Sequence, residues 1–316
     1  MLNQFINNKE VNTINPQKDI SIIQCGRCVS QQEIELIRET VNLFPQLSRT
    51  ELAKTISENL KWFTASGSNK TDACLGLLEK LESCGHFQLP QKKETKKPKR
   101  ECSISFSAKT QKRLDITGTL SNLGKVTLET IKDKDSENLW KEYMSHYHYL
   151  GNTRPFGFYL RYFIRSDHEL LGCALFSGAA KAISVRDQWI GWRTNQRLQN
   201  LSWIVNNTRF LIFPWVKVRY LASHVLGLTA RRIKQDWYEK WGYTPVLMET
   251  FVDGDYYRGT CYKAANWKHI GKTTGIGLVR KGHTYKTTPK EIFVKPLIKD
   301  FREKLCSDEL VGRTEI

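Results

Sequence analysis

The sequence predicts an α+β protein with two folded parts, a small helical module followed by a larger domain built on a mixed β-sheet. Hydrophobic residues recur at helical spacing over residues 31–85, and a basic stretch without core residues occupies 91–100. Eight of the nine tryptophans follow that stretch. We therefore predict a tail over 1–24, a helical module over 25–90, a basic linker over 91–100, the larger domain over 101–300 and a second tail over 301–316.

Three helices are predicted in the module. Ser30 and Glu33 form a capping box at the start of the first, Ser48 caps the second, and Gly85 ends the third. A short strand is predicted over HFQLP, directly after the third helix. This outline is typical of a winged-helix-like or helix-turn-helix module, and a plain helical bundle gives the same pattern.

The larger domain is predicted to alternate strands with helices. Strand-like runs rich in β-branched and aromatic residues occur at FGFYLRYFI, LLGCALFSG, RFLIFPWV, PVLMETFV and EIFVKPL. A long amphipathic helix is predicted from Leu221 to Trp241, closed by Gly242. Asn206 and Asn207 precede RFLI, and we interpret both as turn residues.

Charge and composition favour an intracellular protein that binds polyanions. The 316 residues carry a net charge of +17 and have a pI near 9.5. This surplus indicates nucleic acid as the partner, although many basic proteins bind none specifically. No apolar run of membrane-spanning length and no secretory leader is evident, so we expect a cytoplasmic location without membrane association. The eight cysteines suit reduced thiols.

Cationic and aromatic residues supply the candidate nucleic-acid contacts. The run RDQWIGW joins an arginine to two tryptophans, a combination that suits phosphate contact and base stacking. The alternative interpretation is that the two tryptophans are core residues and that the arginine forms a local ion pair with the neighbouring aspartate. The predicted contacts are Arg49, Lys96, Lys97, Lys99, Arg100, Arg154, Arg186, Trp189, Arg193, Arg209, Lys217, Arg219, Lys263 and Lys272.

A second hypothesis assigns catalysis to one histidine and three carboxylates. Glu249 and Asp253 lie four apart on a predicted strand and so share a face. With Asp187 or His148 they would hold Mg²⁺ for phosphodiester cleavage. Packed histidines and surface acids are the simpler interpretation. The predicted catalytic residues are His148, Asp187, Glu249 and Asp253.

Three further motifs are interpreted as structural. GKTTGIG lacks the strand–loop–helix context of a phosphate-binding loop and is predicted to be a flexible turn. CGRC has half the spacing of a zinc site, and Cys84 with His86 would have to complete it, so we predict no metal site. Cys261 lies near Lys263 but is expected to be a small buried thiol.

Long strings of this sequence resemble the DruA family of Druantia anti-phage proteins. The strings are SHYHYLGNTRPFG, LLGCALFSGAAKAISVRDQWIGW, LQNLSWIVNNTRFLIFPWVKVRYLASHVL, GYTPVLMETFVD and YRGTCYKAANWKHIGKTTGIG, and the resemblance covers roughly 25–300. Relatives also occur beside transposases. The resemblance implies a bacterial component of a multi-gene defence operon that includes a helicase-like protein.

The larger domain also resembles the GNAT acyltransferase fold, because LLGCALFSG, RFLIFPWV, a helix and PVLMETFV follow that order of elements. Such enzymes need a glycine-rich loop before the helix to hold the cofactor pyrophosphate. Here PWVKVRYLASHVL has no glycine, so we expect no acetyl-CoA binding. Our leading hypothesis is a DNA-binding defence component. The alternatives are a divergent enzyme, either a nuclease or an acyltransferase-like protein, and an adaptor that recruits other defence proteins.

Overall fold

The computed structural model describes residues 22–91, 107–155, 157–275 and 288–308. The chain forms two compact units. Within the described residues, the first unit comprises 22–61 and 71–91, and the second comprises 62–70 together with everything from 107 onward. None of the described helices is both long and apolar enough to span a lipid bilayer.

The first unit contains a short hairpin and three helices, namely β1 (Ile22–Gln24), β2 (Arg27–Val29), α1 (Gln31–Leu43), α2 (Arg49–Asn59) and α3 (Thr71–Ser83). The predicted capping box of Ser30 and Glu33 is confirmed, and Ser48 forms a second one with Glu51. Buried faces of the three helices build the core. The hairpin was not predicted, because its strands have only three residues each.

The strand predicted over HFQLP does not form. The backbone N–H of Leu89 donates to the Glu82 carboxylate at 2.8 Å. This side chain takes the place of the backbone carbonyl that a neighbouring strand would have supplied. Phe87 and Leu89 are buried all the same. The three predicted helices are thus confirmed, and the predicted terminal strand is wrong.

The second unit is a mixed sheet surrounded by helices. Its elements are β3 (Ile116–Gly118), β4 (Thr127–Thr130), α4 (Lys134–Tyr147), β5 (Tyr159–Arg165), β6 (Leu170–Gly178), α5 (Ser184–Ile190), α6 (Thr194–Asn200), β7 (Ile204–Ile212), β8 (Val216–Val218), α7 (Leu221–Trp241), β9 (Leu247–Asp253), α8 (Thr260–Ala264), β10 (Lys268–Lys272), β11 (Lys290–Pro296) and α9 (Phe301–Leu305). All five predicted strands form, although RFLIFPWV is part of β7 only as far as Ile212, and α7 has the predicted bounds. The α+β class is therefore confirmed.

Seven strands form one sheet in the order β10-β11-β9-β7-β6-β5-β4. Among the described strands of this sheet, β7 and β9 are the one parallel pair, and α7 makes the crossover between them. Strand β6 is almost entirely buried, as expected for a central strand covered on both faces. The core of the unit runs along this sheet and includes the fully buried Trp140, Trp215 and Trp237.

Strands β7 and β9 diverge after a short paired stretch. Their register runs only from Ile204 opposite Leu247 to Asn206 opposite Glu249. In the pairing of β7 with β6, Leu175 lies opposite Arg209 and Phe176 opposite Asn207, so Thr208 is the extra residue of a β-bulge. Asn206 and Asn207 therefore lie inside a strand, and their interpretation as turn residues is wrong.

Candidate nucleic-acid interface

A cavity of about 330 Å³ lies where β7 and β9 separate. A buried polar network holds its base: Tyr262 donates its hydroxyl to Asn207 Oδ1 at 2.8 Å, and Thr250 donates to the Asn207 carbonyl at 2.9 Å. The Asn207 amide group donates in turn to two backbone carbonyls, at 3.1 and 2.9 Å. Because both ends of this buried amide are satisfied, the network fixes the separation of the strands.

His148 directly follows the last residue of α4 and lines this cavity. Its Nδ1 accepts a hydrogen bond from the Leu150 backbone N–H at 3.2 Å, so the neutral ring carries its proton on Nε2. Burial, assisted by the positive charge of Arg209, lowers the pKa of His148 from 6.5 to about 4. The imidazole is therefore neutral at pH 7, and Nε2–H is a hydrogen-bond donor with no partner among the described residues.

Three tyrosines form an exposed cluster, and two of them, Tyr149 and Tyr257, line the cavity. Tyr149, Tyr256 and Tyr257 are 41%, 68% and 54% exposed, respectively. The Tyr149 ring lies 5.2 Å from that of Tyr256 and 5.6 Å from that of Tyr257. The carbonyl of Asp253 accepts the backbone N–H groups of Tyr256 and Tyr257, which fixes both at the end of β9. A group of adjacent exposed rings is typical of a binding surface.

Arg209 is half-buried and has no carboxylate partner among the described residues. Its three nitrogens donate to neutral oxygens: the Gly151 carbonyl at 3.0 Å, the Thr208 carbonyl at 2.8 Å and Thr153 Oγ1 at 2.9 Å. Burial lowers the pKa of the guanidinium, and the group stays charged at pH 7. A partly desolvated cation without a counter-charge is favourable for anion binding.

A second pocket of about 390 Å³ lies beside Arg209. Arg154 and Lys181 also line it, and both are exposed. Asn206 and Thr208 complete the wall, and each has a buried side-chain oxygen without a hydrogen-bond partner in the described part of the chain. The cations and the Thr208 hydroxyl, which can donate a hydrogen bond, suit phosphate recognition, whereas the Asn206 oxygen is an acceptor.

A buried ion-pair network joins α5 to β9. Arg186 is fully buried and donates to Glu249 Oε2 at 2.9 Å and to Asp187 Oδ1 at 2.8 Å. Glu249 also accepts the backbone N–H of Ala180 at 2.9 Å. Burial lowers the pKa of Arg186, but the two carboxylates outweigh it and raise that pKa above its ordinary value. The network stabilises the fold and offers no free group to a ligand.

The family model described as "Druantia protein DruA" matches residues 80–282, more than half of the chain. The chain belongs to the DruA family. This membership supports the conclusion that the chain is a component of the Druantia anti-phage system. No curated protein matches this DruA-family chain.

Several solved structures resemble part of this DruA-family chain. An aminoglycoside acetyltransferase, AAC(6')-Ib, in complex with coenzyme A is 14% identical, with 58% of this chain and 100% of that one covered and a TM-score of 0.37. A polyamine N-acetyltransferase of Drosophila melanogaster is 11% identical, with 54% and 100% covered and a TM-score of 0.34. FeeM, an N-acyl amino acid synthase from uncultured soil microbes, is 9% identical, with 55% and 91% covered and a TM-score of 0.32. TM-scores below 0.5 carry no conclusion about the fold or activity of this chain.

The four predicted catalytic residues of the DruA-family chain do not form one cluster. Asp187 and Glu249 belong to the Arg186 network, whereas His148 and Asp253 line the cavity. Glu249 and Asp253 share a strand face, but four residues of strand separate them by about 13 Å. That spacing is too long for one Mg²⁺ to bind both. No group of three or more potential metal ligands occurs among the described residues.

The CGRC motif of this DruA-family chain lies in the first unit. Cys25 and Cys28 are exposed around the β1–β2 turn, and no third ligand joins them there. GKTTGIG was predicted to be a turn, but Gly271 and Lys272 belong to β10 because they pair with β11. Cys261 is half-buried, and burial raises the pKa of its thiol, in keeping with an unreactive cysteine.

Carboxylates neutralise five of the predicted cationic contacts. Arg49 pairs with Glu82, Arg186 with Asp187 and Glu249, Arg193 with Asp308, Lys217 with Asp115, and Lys272 with Glu291. Arg186 has no exposed surface, so its prediction as a nucleic-acid contact is wrong for the folded unit. Trp189 is half-buried between Phe301, at 5.4 Å, and Arg302, at 4.5 Å.

The other predicted contacts divide into two groups. Arg154, Arg209, Arg219 and Lys263 have no carboxylate partner among the described residues, and the first two line the same pocket. Lys96, Lys97, Lys99 and Arg100 lie outside the described residues. The sequence reasoning missed Tyr149, Tyr256 and Tyr257. The signal available for them was the adjacent pair in DGDYYRG, directly after a strand that ends in an acid.

Proposed function

We propose that this chain is a DNA-binding component of the Druantia system and that its second unit binds unpaired DNA. The tyrosine cluster carries the proposal, because exposed aromatic rings provide the stacking surface that bases need. Arg209 and Arg154 lie on the neighbouring pocket and supply positive charge for the strand backbone. Duplex DNA hides its base faces, so this surface favours single-stranded or locally opened DNA.

Binding of labelled oligonucleotides, followed by fluorescence anisotropy at several salt concentrations, tests the proposal. We expect single-stranded DNA to bind more tightly than duplex and affinity to fall as salt rises. Tyr149→Ala, Tyr256→Ala and Tyr257→Ala should each weaken single-strand binding about tenfold, since one stacked base contributes about 1–3 kcal/mol. Leu114→Ala is the matched control, because Leu114 is 92% exposed and apolar. Equal affinity for the triple tyrosine variant and the wild type would contradict the proposal.

The helical first unit and the basic linker are proposed to add contacts that do not depend on sequence. The linker cations Lys96, Lys97, Lys99 and Arg100 support this, because solvated lysines and arginines release counterions from phosphates. A winged-helix-like role for the first unit belongs to the same proposal. Replacing the four linker cations by alanine should reduce the slope of log affinity against log salt concentration. The preference for single-stranded over duplex DNA should stay the same as in the wild type. An unchanged slope would remove the linker from the interface.

We also propose that the chain acts with other Druantia proteins, including a helicase-like partner. Membership of a multi-component system supports this, and a helicase would supply the unpaired strand that the tyrosine cluster needs. The test is co-purification of the two proteins from cells after thorough nuclease treatment. If the chain co-purifies with the helicase-like partner but binds no DNA itself, the adaptor hypothesis is favoured. Loss of association after nuclease treatment would indicate that DNA alone bridges the proteins.

We propose that the second unit, whose sequence resembles the GNAT fold, does not bind acetyl-CoA. Pyrophosphate binding would need free backbone N–H groups in the loop before α7. In that loop Arg219 and Tyr220 stand where glycines would be needed, so their side chains hinder the close backbone approach of a pyrophosphate. Isothermal titration calorimetry with acetyl-CoA should give no heat of binding. Micromolar affinity would return acyl transfer to consideration.

A further inference from the structure

We propose that the two pockets beside Thr208 together form a site for one nucleotide. In this arrangement the base occupies the cavity behind Tyr149, and the phosphate occupies the pocket beside Arg209. The inference deepens the proposed function, on which it rests for the source of the nucleotide: an unstacked residue of a DNA strand. A free nucleoside monophosphate has the same chemistry, and the experiment separates the two sources.

Thr208 connects the two halves of the site. It is the extra residue of the β7 bulge, and it lines both pockets. Its hydroxyl is buried and has no hydrogen-bond partner in the described part of the chain. Leaving a buried hydroxyl without a hydrogen-bond partner is unfavourable, so a ligand that bonds to it gains affinity. A base and its own phosphate are joined by one sugar, and two pockets that share a single wall residue suit that short connection.

The phosphate half depends on Arg209 and Asn206. Arg209 has no carboxylate partner among the described residues, and its bonds to Gly151, Thr208 and Thr153 hold the guanidinium in place. Asn206 is 7% exposed, and its side-chain oxygen lacks a hydrogen-bond partner in the described structure. An asparagine amide presents either its oxygen or its NH₂ group after a half-turn, so it suits a phosphate or a sugar hydroxyl. Arg154 adds a second positive charge at the pocket.

The base half combines apolar walls with a few polar groups. Phe210, Ile212 and Val252 supply apolar surface, whereas His148 offers a donor at Nε2 and Asp253 offers carboxylate oxygens. Its volume of about 330 Å³ lies at the small end of the range for ligand pockets, roughly 300–1,000 Å³, and suits a single heteroaromatic ring system. The Tyr149 ring lies at the same cavity and is available to stack on the bound base.

Two titrations with the full chain test the inference. In the first, dAMP, dCMP, dGMP and dTMP are titrated by calorimetry against the wild type, Thr208→Val and Thr208→Ser. We expect at least one nucleotide to bind, about tenfold weakening in Thr208→Val and recovery in Thr208→Ser, because only valine removes the hydroxyl. Thr127→Val is the control, because Thr127 lies exposed on β4. The matching nucleoside, which lacks the phosphate, should bind more weakly than its monophosphate.

The second titration compares an intact single-stranded oligonucleotide with one that contains abasic sites, on the wild-type protein alone. A base pocket that takes its nucleotide from DNA requires weaker binding of the abasic strand, and the Thr208 dependence in the first titration separates this pocket from stacking on the tyrosine cluster. If no monophosphate binds and the intact strand still binds more tightly than the abasic one, the nucleotide site is overturned and the base stacking proposed for the tyrosine cluster still stands. If monophosphates bind in a Thr208-dependent manner but no DNA binds, the proposed function fails, and the site takes a free nucleotide.

Discussion

Replacing Glu249 by alanine should destabilise the second unit, because it breaks a fully buried ion pair. Both Glu249 oxygens accept hydrogen bonds, one from Ala180 N and one from Arg186 Nη1, each at 2.9 Å. Removing one member of a buried pair costs about 3–5 kcal/mol, since the remaining charge stays desolvated. Arg186 keeps Asp187 at 2.8 Å, so we expect a loss of about 3–4 kcal/mol, the lower part of that range.

Thermal and urea unfolding, followed by circular dichroism, measure this loss. A domain of about 200 residues loses roughly 2–4 °C of Tm per kcal/mol, so the expected decrease is about 6–16 °C. Glu129→Ala is the control: Glu129 also pairs with an arginine, Arg165, but both side chains are about half exposed. An exposed pair contributes at most about 1 kcal/mol. An unchanged midpoint for Glu249→Ala, together with lost phage protection, would refute the structural role and return Glu249 to the catalytic candidates.

Three further perturbations follow from the same contacts. The folded pKa of His148, about 4, lies below its ordinary value of 6.5, so the folded chain binds fewer protons than the unfolded chain between these two pH values. The free energy of unfolding should therefore fall as the pH drops from 6.5 towards 4. In urea titrations, His148→Gln should make this dependence on pH weaker. Tyr262→Phe leaves Asn207 Oδ1 without its donor and should cost about 1–3 kcal/mol of stability in chemical denaturation; a neutral effect would show that the Asn207 network does not fix the strand separation. Tyr220 has φ 65° and is 65% exposed, so Tyr220→Gly should raise the Tm slightly by relieving a strained backbone, and a lower Tm would indicate a packing role for the ring.

The sequence predicts five strands and α7 of the second unit, because their signals are local. The bounds of α7 follow from the amphipathic repeat and from Gly242, which has φ 74° after the last turn. The five strands follow from runs of β-branched and aromatic residues. In the first unit, Ser30 and Ser48 mark helix starts through side chains that lie within three residues of their partners.

The candidate site is harder to predict, because it depends on contacts between distant residues. Asn206 and Asn207 have the composition of a turn, but tertiary pairing with β6 places them in a strand. Arg186 and Glu249 are 63 residues apart, and only the fold makes them a buried pair rather than a DNA contact and a metal ligand. Tyr149 and Tyr256 likewise meet across more than a hundred residues. Thr208 gains its position from a bulge, which local periodicity does not reveal.

The central claim, that the tyrosine cluster contacts unpaired DNA, is tested most directly by photocrosslinking. A single-stranded oligonucleotide containing 5-iodouracil is irradiated with the full chain, and the crosslinked peptides are identified by mass spectrometry. The proposal predicts crosslinks at Tyr149, Tyr256 or Tyr257, which disappear when unlabelled single-stranded DNA competes. Crosslinks confined to the first unit or the basic linker, with none at these three tyrosines, would contradict it.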